Sequence, residues 1–211
     1  MSHPSTPQFL VLHGVRLKGF AEAPALSALW SIDEADVEAE LKELGAAGLV
    51  QHREGRVTGW SLTPDGRAEH ARLAAIELDE ADARPVVKLA YEEFLGINPD
   101  LLAACTSWQL RMIGDAQVVN DHDDAVYDAK VVDELAVVHA RVEPIVASVA
   151  GVLERFGPYS VRLVAALKHV QAGATEWFTK PLIDSYHTVW FELHEDLLST
   201  LGLQRATEGR G

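Results

Sequence analysis

Nine histidines, one cysteine and several clusters of carboxylates are the side chains with chemical options in this chain, and their spacing decides which options are open. His187 and His194 fall on one shoulder of the segment DSYHTVWFELHEDLL. On a helix they stand about 10.5 Å apart, too far to share one metal ion. His194-Glu195 also lacks the second histidine that the HExxH zinc pattern needs four residues on. Asn120, Asp121, His122, Asp123 and Asp124 lack the alternating ligands and central glycine of a calcium loop. Acids just ahead of a long helix are instead the arrangement its dipole favours. His139 and Glu143, one helical turn apart, read as a surface pair rather than an acid–base couple. A lone Cys105 excludes an internal disulfide and a cysteine zinc cluster. No Ser-His-Asp order, nucleotide loop or pair of buried carboxylates stands out. The expectation is a protein that is not an enzyme, with no catalytic residue, no metal and no cofactor.

Binding chemistry is better represented. Trp108, Trp177, Phe178, Tyr186 and Trp190 give the second half large aromatics with polar tips. Such side chains line small-molecule pockets and also fill ordinary helical cores. An effector pocket would draw on Trp108, Trp177, Tyr186, His187, Trp190 and His194. A second group is basic: His52, Arg53 and Arg56, followed by Arg67 and Arg72. Arginine beside a duplex is favoured in the minor groove, so these residues are the candidates for contact with DNA.

Charge limits that second idea. The 211 residues carry a net charge of −14. Nonspecific DNA affinity comes largely from Lys and Arg displacing counterions from phosphate. Up to Leu78 there are seven basic against eleven acidic side chains, and from Asp79 onward eleven against twenty-one, so neither half is a basic module. Any DNA contact must come from a small local patch. Nearly half the residues are apolar, yet no run is long enough to span a membrane, and MSHPSTPQ has neither the basic start nor the apolar block of a signal peptide. A cytoplasmic protein with no membrane partner is the expectation.

The elements that must position these groups follow from caps and periodicity. Ser5-Thr6-Pro7 is a cap followed by proline at the first helical position, and the apolar face behind it ends near Gly19. A short helix starts at Pro24. Asp33 caps a third, with Val37, Leu41 and Leu44 facing the core and Gly48 as its stop. Leu49 to Arg53 and Arg56 to Leu62 read as strands joined by a two-residue turn, Glu54-Gly55. Thr63-Pro64 restarts a helix that runs through Leu78. After Pro85 the chain reads as helical throughout: helices over Val86 to Leu95 and Pro99 to Leu110, a polar connection from Ile113 to Asp123, and a long helix from about Asp124. In that last helix Val131, Leu135, Val138, Val142, Ile145, Val149, Val152 and Phe156 make a seven-residue repeat, with Pro144 expected to kink it. A further helix covers Val161 to Val170, and Pro181 opens the last.

The fold this predicts is mainly α: an N-terminal winged helix-turn-helix of three helices plus a β-hairpin wing (residues 1–82), then an all-α helical dimerisation or effector domain (residues 83–205). The N-terminal third resembles MarR-like and PadR-like regulators, and LTPDGR at Leu62–Arg67 matches their wing-to-helix junction, LTPxGR. The resemblance implies a one-component, ligand-responsive transcriptional regulator that binds duplex DNA as a homodimer. DSYHTVWFELHEDLL also resembles a helical segment of actinobacterial proteins that accompany or are fused to PEP-utilising phosphotransferases. That likeness implies a partner enzyme, since the phosphohistidine machinery and glycine-rich phosphate loops of such an enzyme are absent here.

The third helix decides between these readings. With Val37, Leu41 and Leu44 inward, Ala35, Ala39, Lys42 and Ala46 face outward, flanked by Asp36, Glu38 and Glu43. Alanine can touch a thymine methyl but makes no bidentate bond to guanine or adenine, and the carboxylates would approach phosphate. DNA binding would then rest on Ala35, Ala39 and Lys42 at the groove and on His52, Arg53, Arg56 and Arg67 at the backbone. The alternative is an adaptor that binds no DNA and uses the winged helix to dock the partner enzyme.

Overall fold

The computed structural model describes residues 2–55 and 58–203. Among these the protein is mainly helical, with two small two-stranded hairpins. Its elements are α1 (Pro7–Lys18), α2 (Ala23–Trp30), α3 (Glu34–Ala46), β1 (Val50–Arg53), β2 (Gly59–Leu62), α4 (Pro64–Glu80), α5 (Arg84–Gln109), β3 (Leu110–Ile113), β4 (Ala116–Val119), α6 (Ala125–Ala150), α7 (Gly157–Gln171), α8 (Glu176–Thr179) and α9 (Tyr186–Leu201). A 3-10 turn, Glu154–Phe156, precedes α7. Among the described residues no helix is long and apolar enough to cross a membrane.

Contacts divide the chain into two compact units. The first holds the residues up to Lys88, Val149–Pro158 and those from Glu195 onward; the second holds Leu89–Ser148 and Tyr159–His194. The first unit is therefore assembled from three separated stretches of chain.

The early helices begin where their caps say. Thr6 Oγ1 accepts from the Phe9 amide at 3.3 Å, Asp33 Oδ1 from Ala35 at 2.9 Å, and Thr63 Oγ1 from Gly66 at 3.0 Å. Val11, Leu12 and Val15 of α1 pack with Leu26, Val37, Leu41, Leu44, Val50 and Leu62 into one buried cluster. The β1–β2 register pairs Val50 with Leu62 and Arg53 with Gly59. The connection is therefore residues 54–58 rather than a two-residue turn, and Arg56 lies outside the described residues. An antiparallel bridge between Ala21 and Trp60 adds a third short extended piece, with N–H···O distances of 3.0 and 2.8 Å.

Four departures from the sequence expectation occur in the second half. Pro99 does not divide α5, which runs unbroken from Arg84 to Gln109. Val87, Ala90, Tyr91, Phe94, Ile97, Leu101, Ala104 and Trp108 form one continuous buried stripe. Burying each large apolar side chain contributes about 1.5–3 kcal/mol, and several together outweigh the roughly 3 kcal/mol that an interior proline costs. The segment expected to be a polar connection is the β3–β4 hairpin, with Ile113 opposite Ala116 and Gly114-Asp115 as the turn at φ +61° for Gly114. The heptad stripe of α6 holds through Val149, but the helix stops at Ala150, so Leu153 and not Val152 takes the next core position. The last helix starts at Tyr186, five residues after Pro181.

Gly66 is the tightest backbone approach in the first unit. A Cβ there would lie 1.8 Å from the Leu49 carbonyl oxygen, a backbone atom that cannot move aside cheaply. Gly96, inside α5, has open space around the same position. Gly66→Ala should therefore destabilise the protein by about 1–3 kcal/mol or more, whereas Gly96→Ala should stabilise it by about 0.5–1 kcal/mol. Urea unfolding of both variants checks this; equal midpoints would refute the packing of α4 against Leu49.

Candidate functional site

The first candidate surface is the outer face of α3. Val37, Leu41 and Leu44 are buried, which leaves Glu34, Ala35, Asp36, Glu38, Ala39, Lys42 and Glu43 exposed. The placement of Ala35, Ala39 and Lys42 follows the helical period, but the one cation of the ridge is engaged: Lys42 Nζ lies 3.3 Å from Glu38 Oε2. Toward α1, Asp36, Ala39, Glu40 and Glu43 border a hollow of about 240 Å³ with Pro7 and Val11. Partial burial, with Glu43 and Asp36 nearby, holds the Glu40 carboxyl above its ordinary value. The face is negative from end to end.

The β1–β2 hairpin separates the basic residues that the sequence groups together. Side chains alternate across a strand, so neighbours point to opposite faces. His52 stands opposite Trp60, its ring 5.2 Å from the indole and its Nε2 3.0 Å from Glu22 Oε1. Trp60 in turn covers Gly45 of α3. Gln51, Arg53 and Ser61 border a cavity of about 460 Å³ with Arg16, Phe20 and Arg67. Arg67 Nη1 donates to the Leu62 carbonyl at 3.0 Å, and Arg16 is ion-paired with Glu195. Arg72 forms a two-pronged pair with Glu69 at 2.6 and 2.7 Å. Of the residues proposed for phosphate contact, Arg53 and Arg67 thus meet in one cavity, and His52 is elsewhere, tied to α2's N-terminal flank.

A third constellation was not legible in the sequence. Arg155, following the Leu153–His3 bridge, has no exposed side-chain surface and lies in the first unit among residues from three helices. Its Nε donates to Glu77 Oε2 at 2.9 Å, one Nη to Asp196, and the other to Thr200 Oγ1 at 2.6 Å. Ser5 donates to the second Glu77 oxygen. His13 Nε2 lies 3.1 Å from Asp196 Oδ1, and its Nδ1 lies 2.7 Å from His70 Nε2, the two rings stacked at 5.1 Å and 6°. Arg155 and His13 both approach the same Asp196 oxygen, and Arg155 Nη1 also lies 3.2 Å from His13 Nε2.

The charges in this network are sorted by burial and neighbours. Burial depresses His13, with Asp196 opposing and Arg155 adding to the shift. His70 is lowered to about 2, first by burial and then by His13, Arg16 and Arg155. Burial would raise Asp196, but Arg155 and His13 outweigh it and hold the carboxyl below its usual range. The same carboxylates hold Arg155 above its ordinary value against burial. At neutral pH Arg155 is charged, Asp196 is ionised and both imidazoles are uncharged.

The aromatic residues of the second unit do not form one pocket. Trp108 stacks on Phe178 at 4.6 Å and donates to the Thr175 carbonyl; Trp177 stacks on His169 at 4.0 Å. Tyr186 is fully buried with its hydroxyl 3.2 Å from His139 Nδ1, and Trp190 donates to Asn98 at 2.9 Å. His194 is buried 5.0 Å from the Phe94 ring, and His187 is half-buried, which lowers its pKa. His139 is therefore buried rather than a surface residue, although Glu143 does approach it at 3.4 Å. Trp108 lines a cavity of about 320 Å³ shared with Asn120, His122, Thr179 and Lys180. There His122, at φ +63°, holds Asp128 at 2.9 Å, and Asn120 bridges Asp128 and the Trp108 carbonyl. Asp124 caps α6 through the Val126 and Tyr127 amides. Burial pushes the Cys105 thiol up to about 12, which leaves it unreactive. Among the described residues no group of three or more His, Cys, Asp or Glu side chains could hold a metal ion. No protein family, curated protein or solved structure matches this chain.

The buried histidines set a pH dependence. Their folded pKa values lie below the ordinary 6.5, so above pH 6.5 both states are neutral and the stability is whole. Below pH 6.5 the unfolded chain takes up protons that the folded chain refuses. His70, lowered to about 2, then removes about 1.4 kcal/mol per pH unit, and His13 acts in the same direction. Asp196 adds its own loss only below 3.8. Urea midpoints should fall steeply between pH 6.5 and 4.5, and less steeply in a His13→Asn, His70→Asn variant; an unchanged slope would refute the assignment.

Proposed function

We propose that α1 to α4 with the β1–β2 hairpin form a winged helix, and that the protein is a regulatory adaptor whose α3 face docks a basic surface of a partner protein. The order of three helices, a hairpin and an exit helix supports the winged-helix reading, as does the Ala21–Trp60 bridge that widens the hairpin to three pieces. The observation that carries the docking reading is the α3 ridge. Glu34, Asp36, Glu38 and Glu43 are exposed on it, and its only lysine is neutralised by Glu38. In a major groove these groups would lie between two rows of phosphates, where like charges repel strongly. Against a lysine- and arginine-rich protein face the same ridge is complementary, with the alanines allowing close approach. The partner enzyme implied by the DSYHTVWFELHEDLL resemblance is the first candidate for that face. The remaining helices carry the homodimer contact in this reading.

A second reading, a one-component transcriptional regulator binding duplex DNA, draws on one observation: Arg16, Arg53 and Arg67 gather on the other side of the hairpin. It uses the wing against the phosphate backbone without readout by α3.

One experiment separates them. Genomic-fragment binding by the purified protein is measured from about 50 to 200 mM salt, the range in which phosphate contacts show themselves. The adaptor reading expects no fragment retained even at low salt. It expects an Asp36→Ser, Glu38→Lys, Glu43→Lys variant to gain salt-sensitive DNA affinity and to lose any protein partner that the parent captures. Tight, salt-sensitive binding by the parent would discard the adaptor and establish the DNA reading.

A further inference from the structure

We propose that the cavity bounded by α1, the β1–β2 hairpin and the start of α4 binds a small organic oxyanion, a carboxylate or phosphate monoester carrying an apolar body. The site is independent of the docking reading, because none of the residues lining it lies on α3.

Five observations converge on it. In a chain of net charge −14, three arginines border one cavity. Two of them are held in place at one end: Arg67 by the Leu62 carbonyl and Arg16 by Glu195. A guanidinium has five N–H donors, so each tether orients the group and leaves donors over for a ligand. Such planar forks match carboxylate and phosphate oxygens in paired geometry.

Gln51 and Ser61, paired across the strands, place an amide and a hydroxyl beside Arg53. Val15, Phe20 and Leu62 give the cavity an apolar wall. About 460 Å³ falls within the range of small-molecule sites, larger than a bare inorganic anion needs. The cationic lining excludes a divalent metal. It also disfavours a neutral apolar ligand, which would desolvate guanidinium groups without returning hydrogen bonds.

The test uses the full-length protein labelled with ¹⁵N. Phenyl phosphate, benzoate, benzyl alcohol, inorganic phosphate and a short DNA duplex are titrated separately, and amide shifts are followed at Gly19, Gln51, Arg53, Ser61 and Arg67. The proposal expects saturable shifts there with phenyl phosphate or benzoate and none with benzyl alcohol. It expects at least tenfold weaker affinity in an Arg53→Gln, Arg67→Gln variant with an unchanged far-ultraviolet spectrum. Should loss of the Arg67–Leu62 bond unfold that variant, Arg53→Gln alone carries the comparison. Equal shifts from benzyl alcohol, equal affinity for inorganic phosphate, no loss in Arg53→Gln, or no saturable shift with either organic anion would each overturn it. Shifts from the duplex and from neither small anion would assign the face to nucleic acid and overturn it too. The α3 charge variant should bind these anions as the parent does, which keeps failure of the adaptor reading distinct from failure of this one.

Discussion

A guanidinium with no exposed surface can exist in a folded protein only if its charge and its hydrogen bonds are satisfied together, and Arg155 imposes that requirement on the whole first unit. Glu77 from α4, Asp196 and Thr200 from α9 and, through Asp196, His13 from α1 all converge on it. Phe156 and Phe9 cover it, their ring centres 4.5 and 5.7 Å from its central carbon. Removing one member leaves an uncompensated buried charge, a loss on the order of 3–5 kcal/mol. A well-packed apolar set could be as stable. What the ionic set supplies is geometry: a carboxylate, a guanidinium and a paired imidazole accept few alternative arrangements, so four chain segments far apart in sequence are fixed in one register.

That network marks the boundary of what the sequence could reveal. The local devices were legible, because a cap or an apolar stripe is written in consecutive letters: Thr6, Asp33 and Thr63 cap the helices they precede, and Val37, Leu41 and Leu44 are buried together. His13 of α1, His70 and Glu77 of α4, Arg155 of the 3-10 turn and Asp196 of α9 are single polar letters in four separate segments. Nothing in their spacing joins them. The same holds for His122 and Asp128, whose pairing depends on a positive φ at His122.

The misread elements have a common physical cause: a local rule met a stronger packing rule. Pro99 is a helix breaker in isolation, but the buried stripe running past it holds α5 straight through. Gly114-Asp115 between short apolar runs is itself a hairpin signal, masked because Met112, Ile113 and Val119 are exposed and the segment offers no buried face. The basic residues around the β1–β2 hairpin divide for a simpler reason. Residues adjacent in a strand are on opposite faces, so β1 turns His52 and Arg53 to different surfaces.

That alternation also sorts charge in the N-terminal half. On one side of the hairpin Trp60 lies over Gly45 of α3, whose outer ridge is acidic; on the other, Arg16, Arg53 and Arg67 gather around a cavity. Exposed charges further apart than about 8–10 Å are largely screened at physiological salt, so the two surfaces need not cancel despite the chain's overall excess of acid. Net charge is thus a poor guide to what each face can meet. A count of −14 argues against DNA along α3, where the carboxylates stand, and says nothing about a cavity whose lining is positive. The two faces share one pair of strands, and the pleat that turns His52 and Trp60 toward α2 and α3 is what turns Gln51, Arg53 and Ser61 away from them. A one-residue slip in that register would exchange the two sets and destroy both surfaces at once. The Ala21–Trp60 bridge and the Thr63 amide's bond to the Leu49 carbonyl pin the strands at both ends, which makes the hairpin's register the structural condition for either kind of proposed binding.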